Sequence, residues 1–187
     1  NPDCIRIGVV MYAPKICYNI IKLIENVIAI NPNILVTIYG WVNKEWIKSL
    51  LPSKQVQIDQ YDNTNPVKLL ENILFLDPIF INGHSTALEI IKLKRPLIGY
   101  LNKYKYLGCF SQSIIKTINM DGYLIEDNIK DYTKLVRLYT YNEDIYYKFY
   151  NKFIKKLDES KILSDEHYAN NLAKTLNEFY ADYYKNH

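Results

Sequence analysis

Six short apolar runs, CIRIGVVM (4–11), ILVTIY (34–39), QVQI (55–58), ILFL (73–76), LIGY (97–100) and GYLI (122–125), alternate along this chain with stretches of helical periodicity. The first two are rich in β-branched residues and carry almost no polar alternation, the pattern of strands covered on both faces. Between them Cys17, Ile20, Ile21, Ile24, Val27 and Ile28 form one helical stripe, which Asn31-Pro32-Asn33 ends. Further helices are predicted over 43–51, over 65–72 with Pro66 in the first turn, over 85–94 and near 107–118. Three more follow at about 128–140, 142–158 and 164–185.

Such alternation with short connections predicts an α/β domain: a Rossmann-like, doubly wound parallel sheet with helices on both faces. It reads as one domain over 1–187, with an α/β core over about 1–126 and a helical C-terminal tail over about 127–187. In these sheets ligands sit outside the carboxyl ends of the strands, so the loops after residues 11, 39, 58, 76 and 100 form the expected binding edge. The stripe Tyr168, Leu172, Leu176, Phe179 and Tyr183 is expected to cover the domain's own sheet, or a missing half, rather than to mark a dimer surface.

Composition narrows the function classes. Hydrophobic residues make up 49% and charged residues 23%, the balance of a folding chain and not of a disordered one. A net charge of +3, with no basic cluster interleaved with stacking aromatics, argues against nucleic acid as a partner. Cys4, Cys17 and Cys109 show no CxxC spacing, which suits reduced, mostly buried thiols in a reducing compartment. No apolar run reaches the roughly 18 residues of a membrane span, and the first residues lack a signal-peptide pattern. A cytoplasmic protein without a membrane partner is expected. Because the chain starts at Asn1, the expectation is also that it was cut from something longer.

The densest chemistry lies in DPIFINGHSTALEI (77–90), where Asn82, Gly83, His84, Ser85 and Thr86 gather at a strand-to-helix turn. A helix entered at Ser85 presents unpaired amides and the positive end of its macrodipole, about half a charge, to an anion. Gly83 allows close backbone approach, Ser85 and Thr86 add hydroxyl donors, and His84 adds an imidazole. Glu89, four residues after Ser85 on the same face, is placed to accept from a ribose diol. The plainer reading is that Asn82, Ser85 or Thr86 caps the helix and His84 is an ordinary loop residue. The loop after the first strand brings Tyr12 and Lys15 to the same edge, where Lys15 is within reach of a diphosphate; otherwise it is a solubilising charge. G-x-G-x-x-G, P-loop and G-x-S-x-G patterns are absent, and Asp59 with Asp77 does not make a receiver-type acidic cluster.

These residues resemble a known family, the C-terminal catalytic half of the O-GlcNAc transferase and Spindly-type protein O-glycosyltransferases. D-P-I-F-I-N-G-H-S-T-A-L-E is similar, without a gap from Asp77 to Glu89, to the family's Asp-x-x-x-x-Asn-Gly-His-Thr-Thr-x-x-Asp block. The likeness continues through K-R-P-L-I (94–98), Ser111-Gln112 and the closing segment that ends in aromatics; upstream, Lys15-Ile16 and Pro32-Asn33 keep the family spacing. The resemblance implies a GT-B architecture, in which this half grips the nucleotide of a sugar nucleotide and closes on an N-terminal half that the chain does not contain. It implies a GlcNAc-like or fucose-like sugar, a UDP-sugar favoured over a GDP-sugar, and transfer to a protein Ser/Thr hydroxyl without a metal or other cofactor. By the same implication Lys15 and His84 are the catalytic candidates, and Tyr12, Lys68, Asn82, Gly83, Ser85, Thr86 and Glu89 bind substrate.

Two departures accompany it. Glu89 replaces an Asp, and the stretch Asp62-Asn63-Thr64-Asn65-Pro66-Val67-Lys68 keeps only Lys68 where the family places several cations. That loss favours the rival reading, a catalytically inactive docking or structural module built on the same fold.

Overall fold

The computed structural model describes residues 4–62, 66–79, 83, 85–100, 110–126 and 128–186. Its strands are β1 (Ile5–Val10), β2 (Ile34–Tyr39), β3 (Val56–Asp59), β4 (Leu74–Leu76), β5 (Leu97–Tyr100) and β6 (Ile125–Glu126). They form one sheet in the order β3-β2-β1-β4-β5-β6, and every adjacent pair is parallel. The chain winds outward from β1 to β3, returns across β1 to β4, and then winds outward to β6. The direction of winding therefore reverses between β1 and β4, and the carboxyl ends of those two strands are where doubly wound sheets place their ligands.

The helices are α1 (Tyr18–Ile28), α2 (Lys44–Leu50), α3 (Val67–Leu70), α4 (Ser85–Lys92), α5 (Phe110–Thr117), α6 (Asp121–Leu124), α7 (Ile129–Tyr141), α8 (Glu143–Ser160) and α9 (Asp165–Asn186), with a 3-10 turn at Ala13–Lys15. Asparagines start three of them: Asn43, Asn128 and Asn142 accept hydrogen bonds from the amides of Trp46, Asp131 and Ile145 at 2.7, 2.8 and 3.1 Å. Each such cap supplies a partner to a first-turn amide that the helix itself leaves open.

The apolar runs become the core. Ile7, Val9, Val36, Ile38, Leu74, Phe75 and Leu97 from the strands pack with Ile20, Leu23, Ile24 and Val27 of α1 and Ile90 and Ile91 of α4, all buried. From the helical tail, α7 and α8 join this core through Tyr132, Val136, Phe149, Phe153 and Leu157. Tyr132 is wholly buried, and its hydroxyl accepts from the Asp77 amide at 3.0 Å and donates to the Ile98 carbonyl at 2.5 Å. One side chain thus pins the ends of β4 and β5 together.

Gly40, just past β2, is needed for space. The Met11 amide bonds to the Tyr39 carbonyl, the Gly40 amide bonds to the Asp59 carbonyl, and a Cβ on Gly40 would lie 1.8 Å from the Met11 carbonyl oxygen.

Two sequence expectations change. GYLI, read as a strand, is mostly the one-turn helix α6, and the strand is Ile125–Glu126. The amides of Tyr123 and Leu124 both bond back to the Met120 carbonyl, and the buried Leu124 is a helical contact that a four-residue apolar run does not distinguish from a strand. The aromatic stripe of α9 does not cover this domain's sheet: Tyr168, Leu172, Leu176, Phe179 and Tyr183 are all exposed. Cys4 and Cys17 are free and half-buried; Cys109 lies outside the described residues. Among the described residues no helix is long and apolar enough to cross a membrane.

Candidate functional site

The winding reversal brings two loops together. The loop after β1 carries Tyr12 and the 3-10 turn that ends on Lys15, and the segment after β4 carries Asp77, Gly83 and the start of α4. Asp77 links them. Its side chain is buried; Oδ1 accepts the Gly83 amide at 2.7 Å, and Oδ2 accepts the Ser111 hydroxyl from α5. A Cβ on Gly83 would come within 3.3 Å of both Asp77 Oδ1 and the Ala87 amide nitrogen, so the absence of a side chain lets the backbone seat on the carboxylate.

Lys15 lies near enough to feel the charge of the same carboxylate. Burial pushes its ammonium pKa down, and the nearby Asp77 charge pulls it partly back. Its Nζ also lies 5.8 Å from the centre of the Tyr12 ring. A partly desolvated cation and the amino end of the eight-residue α4 thus both belong to the neighbourhood of one buried carboxylate, and both carry positive polarity.

Of the residues expected in the turn, Ser85 is exposed, Thr86 is buried on the inner face of α4, and Glu89 is half-buried on its flank. Asn82 and His84 lie outside the described residues. Glu89 accepts a hydrogen bond from the Tyr61 hydroxyl and is close enough to Tyr12 to add to the rise that burial gives that phenol's pKa. Burial and Glu89 also push the Tyr61 pKa up, so its hydroxyl stays protonated and donating.

Lys68 faces a second region. Its ammonium pairs with Asp59 at 2.8 Å, which holds the Asp59 carboxyl below the usual range, and its carbonyl accepts the Tyr39 hydroxyl at 3.1 Å. A hollow of about 490 Å³ opens here, walled by Tyr12, Tyr39, Trp41, Asp59, Tyr61 and Lys68. Asp62 also lines it. Flat aromatic walls with hydrogen-bonding rims suit a stackable group.

Sequence reasoning singled out Tyr12 and Lys68 but missed Trp41 and Tyr61 beside them, because these sit in loops with no periodicity to mark them. It also missed Asp77 as an anchor, although a carboxylate closing an apolar strand and followed by Asn-Gly was a usable signal. Among the described residues no three His, Cys, Asp or Glu side chains gather to hold a metal.

The sheet order is that of a Rossmann-like doubly wound domain, and the fold matches the corresponding half of GT-B glycosyltransferase structures. Among them, the likeness is to O-GlcNAc-transferase-like enzymes. The chain superposes on a mutant form of Thermobaculum terrenum O-GlcNAc transferase with a TM-score of 0.83 at 11% identity, over 96% of this chain and 36% of that one. It matches a mutant form of S. aureus TarM, solved with fondaparinux, alpha-GlcNAc-glycerol and UDP, with a TM-score of 0.67 at 25% identity, over 92% and 34%. It matches the pneumococcal O-GlcNAc transferase GtfA, in complex with UDP and GlcNAc, with a TM-score of 0.52 at 17% identity, over 87% and 37%. The chain spans about a third of the length of these proteins. No family model and no curated protein sequence matches it.

Proposed function

We propose that this chain is the nucleotide-sugar-binding half of a glycosyltransferase that moves a GlcNAc-like or fucose-like sugar from a nucleotide diphosphate, UDP in preference to GDP, to a protein Ser/Thr hydroxyl. What supports the reading is that the winding reversal puts the loop carrying Lys15 and the amino end of α4, seated on Asp77 through Gly83, at the same end of adjacent strands. Here the pyrophosphate lies along Lys15 and the first amides of α4, with Ser85 and His84 as further donors. The ribose diol faces Glu89, and the base enters the aromatic hollow.

In the reaction the acceptor oxygen bonds to the anomeric carbon, the bond from that carbon to the diphosphate oxygen breaks, and the diphosphate leaves with the electron pair. Lys15 and the helix amides stabilise that growing negative charge without a metal. The hydroxyl proton goes to a base outside these residues, and the acceptor is held there too, in keeping with the greater length of the similar proteins. One observation favours the rival docking module: Asp59 already neutralises Lys68, the sole cation left in its loop.

Calorimetric titration with UDP, GDP, UDP-GlcNAc and GDP-fucose tests the reading. UDP is expected to bind, and Lys15→Ala to weaken it about 10- to 100-fold, the worth of one hydrogen bond to a charged group. Absence of heat with all four nucleotides would transfer the case to the docking module. Unchanged affinity in Lys15→Ala would remove Lys15 from the site.

A further inference from the structure

Tyr61 stands between two hollows. On one side is the aromatic hollow of about 490 Å³; on the other is one of about 420 Å³ lined by Pro66, Leu69, Glu89, Lys92 and Leu93. Tyr61 and Leu69 belong to both walls. The Tyr61 hydroxyl, from the loop after β3, donates across the gap to Glu89 Oε2 on α4. This bond ties the exit of β3 to α4, and the ring that makes it is half-buried while its neighbours Gln60 and Asp62 are exposed.

The contact bears directly on ligand binding. A carboxylate that receives a ribose diol needs its lone pairs facing the two hydroxyls, and one of its oxygens is here engaged by a phenol. A diol bound side-on needs both carboxylate oxygens, so it competes with the phenol for Oε2. We infer that the Tyr61–Glu89 hydrogen bond is a latch on the ribose-binding carboxylate, and that a ligand bearing an intact vicinal diol opens it by taking the carboxylate from Tyr61. This rests on the nucleotide-binding reading and adds to it a residue that sets specificity: diol ligands work against the latch, and ligands without a diol do not.

Opening has a thermodynamic cost that lowers the apparent affinity for a diol ligand by the fraction of molecules left unlatched. Removing the phenol oxygen removes that cost. Tyr61→Phe is expected to tighten UDP about 3- to 10-fold, the net worth of an ordinary hydrogen bond. Inorganic pyrophosphate and 2′,3′-dideoxy-UDP, which leave Glu89 with Tyr61, are expected to bind wild type and Tyr61→Phe equally. In the Glu89→Gln background, adding Tyr61→Phe should bring much less gain, because the acceptor the two donors compete for has lost its charge.

Calorimetry on the full chain reads all of these. UDP binding to the wild type with no tightening, or a weakening, in Tyr61→Phe overturns the latch and leaves nucleotide binding intact; Tyr61 would then position Glu89 or touch the ligand. Equal tightening of UDP and pyrophosphate overturns it as well, since a general change in the loop would be the cause. Failure of UDP and pyrophosphate to bind either protein overturns the nucleotide reading and the latch together.

Discussion

Replacing Gly40 with alanine is expected to destabilise the chain by about 3 kcal/mol or more, at the upper end of what overpacking costs. The added Cβ would sit 1.8 Å from the Met11 carbonyl oxygen and 2.9 Å from its carbon. Both contacts are with backbone, so no rotamer change relieves them. Met11 is fully buried at the end of β1 and bonded through its own amide to Tyr39. The strand ends must separate, loosening the Met11–Tyr39 and Gly40–Asp59 hydrogen bonds and shifting the loop that carries Tyr12 and Lys15. Urea unfolding checks this through a lower midpoint at an unchanged slope. Gly122→Ala is the control, because a Cβ there meets nothing within 4 Å and α6 gains a better helix former. A loss below about 1 kcal/mol for Gly40→Ala would show that the strand ends yield easily, against the overpacking argument.

Asp77→Ala is expected to cost about 3 kcal/mol or more, because it leaves two buried donors without their acceptor at about 1 to 3 kcal/mol each. The substitution takes the acceptor from the Gly83 amide and the Ser111 hydroxyl, and it leaves the partly buried Lys15 ammonium without the carboxylate that offsets its desolvation. Asp77→Asn keeps the shape and one acceptor but not the charge, and should lose roughly half as much. Denaturant titration of the two variants gives the comparison. Equal stability of Asp77→Ala and wild type would mean that the carboxylate is not the keystone of this edge.

Residues buried on both faces of a parallel sheet write themselves as unbroken apolar runs. For that reason β1, β2, β4 and β5 were legible almost to the residue, and the topology then put Lys15 and the start of α4 on one edge. The short run at 122–125 was not legible, since four apolar residues fit one helical turn as well as a strand. The aromatic hollow was hidden for another reason: Trp41 and Tyr61 come from two loops and Asp59 from the end of β3, and only the pairing of β2 with β3 makes them neighbours. Glu89 was singled out for ribose, but nothing in the linear spacing of Tyr61 and Glu89, 28 residues apart, announced their bond. Periodicity also revealed the amphipathic character of α9 without revealing that its apolar face stays bare in this chain.

The Tyr132 pin sets where this polypeptide can be trimmed. A fragment stopping at the last strand would lose the side chain that clamps the exits of β4 and β5, together with the stacked Tyr139 and Phe149 rings, 3.8 Å apart, that hold α7 to α8. The smallest autonomous unit therefore runs past α8 to the left-handed residue Lys161, which ends that helix. Limited proteolysis is expected to cut between there and the start of α9 and to release a shorter species that still unfolds cooperatively.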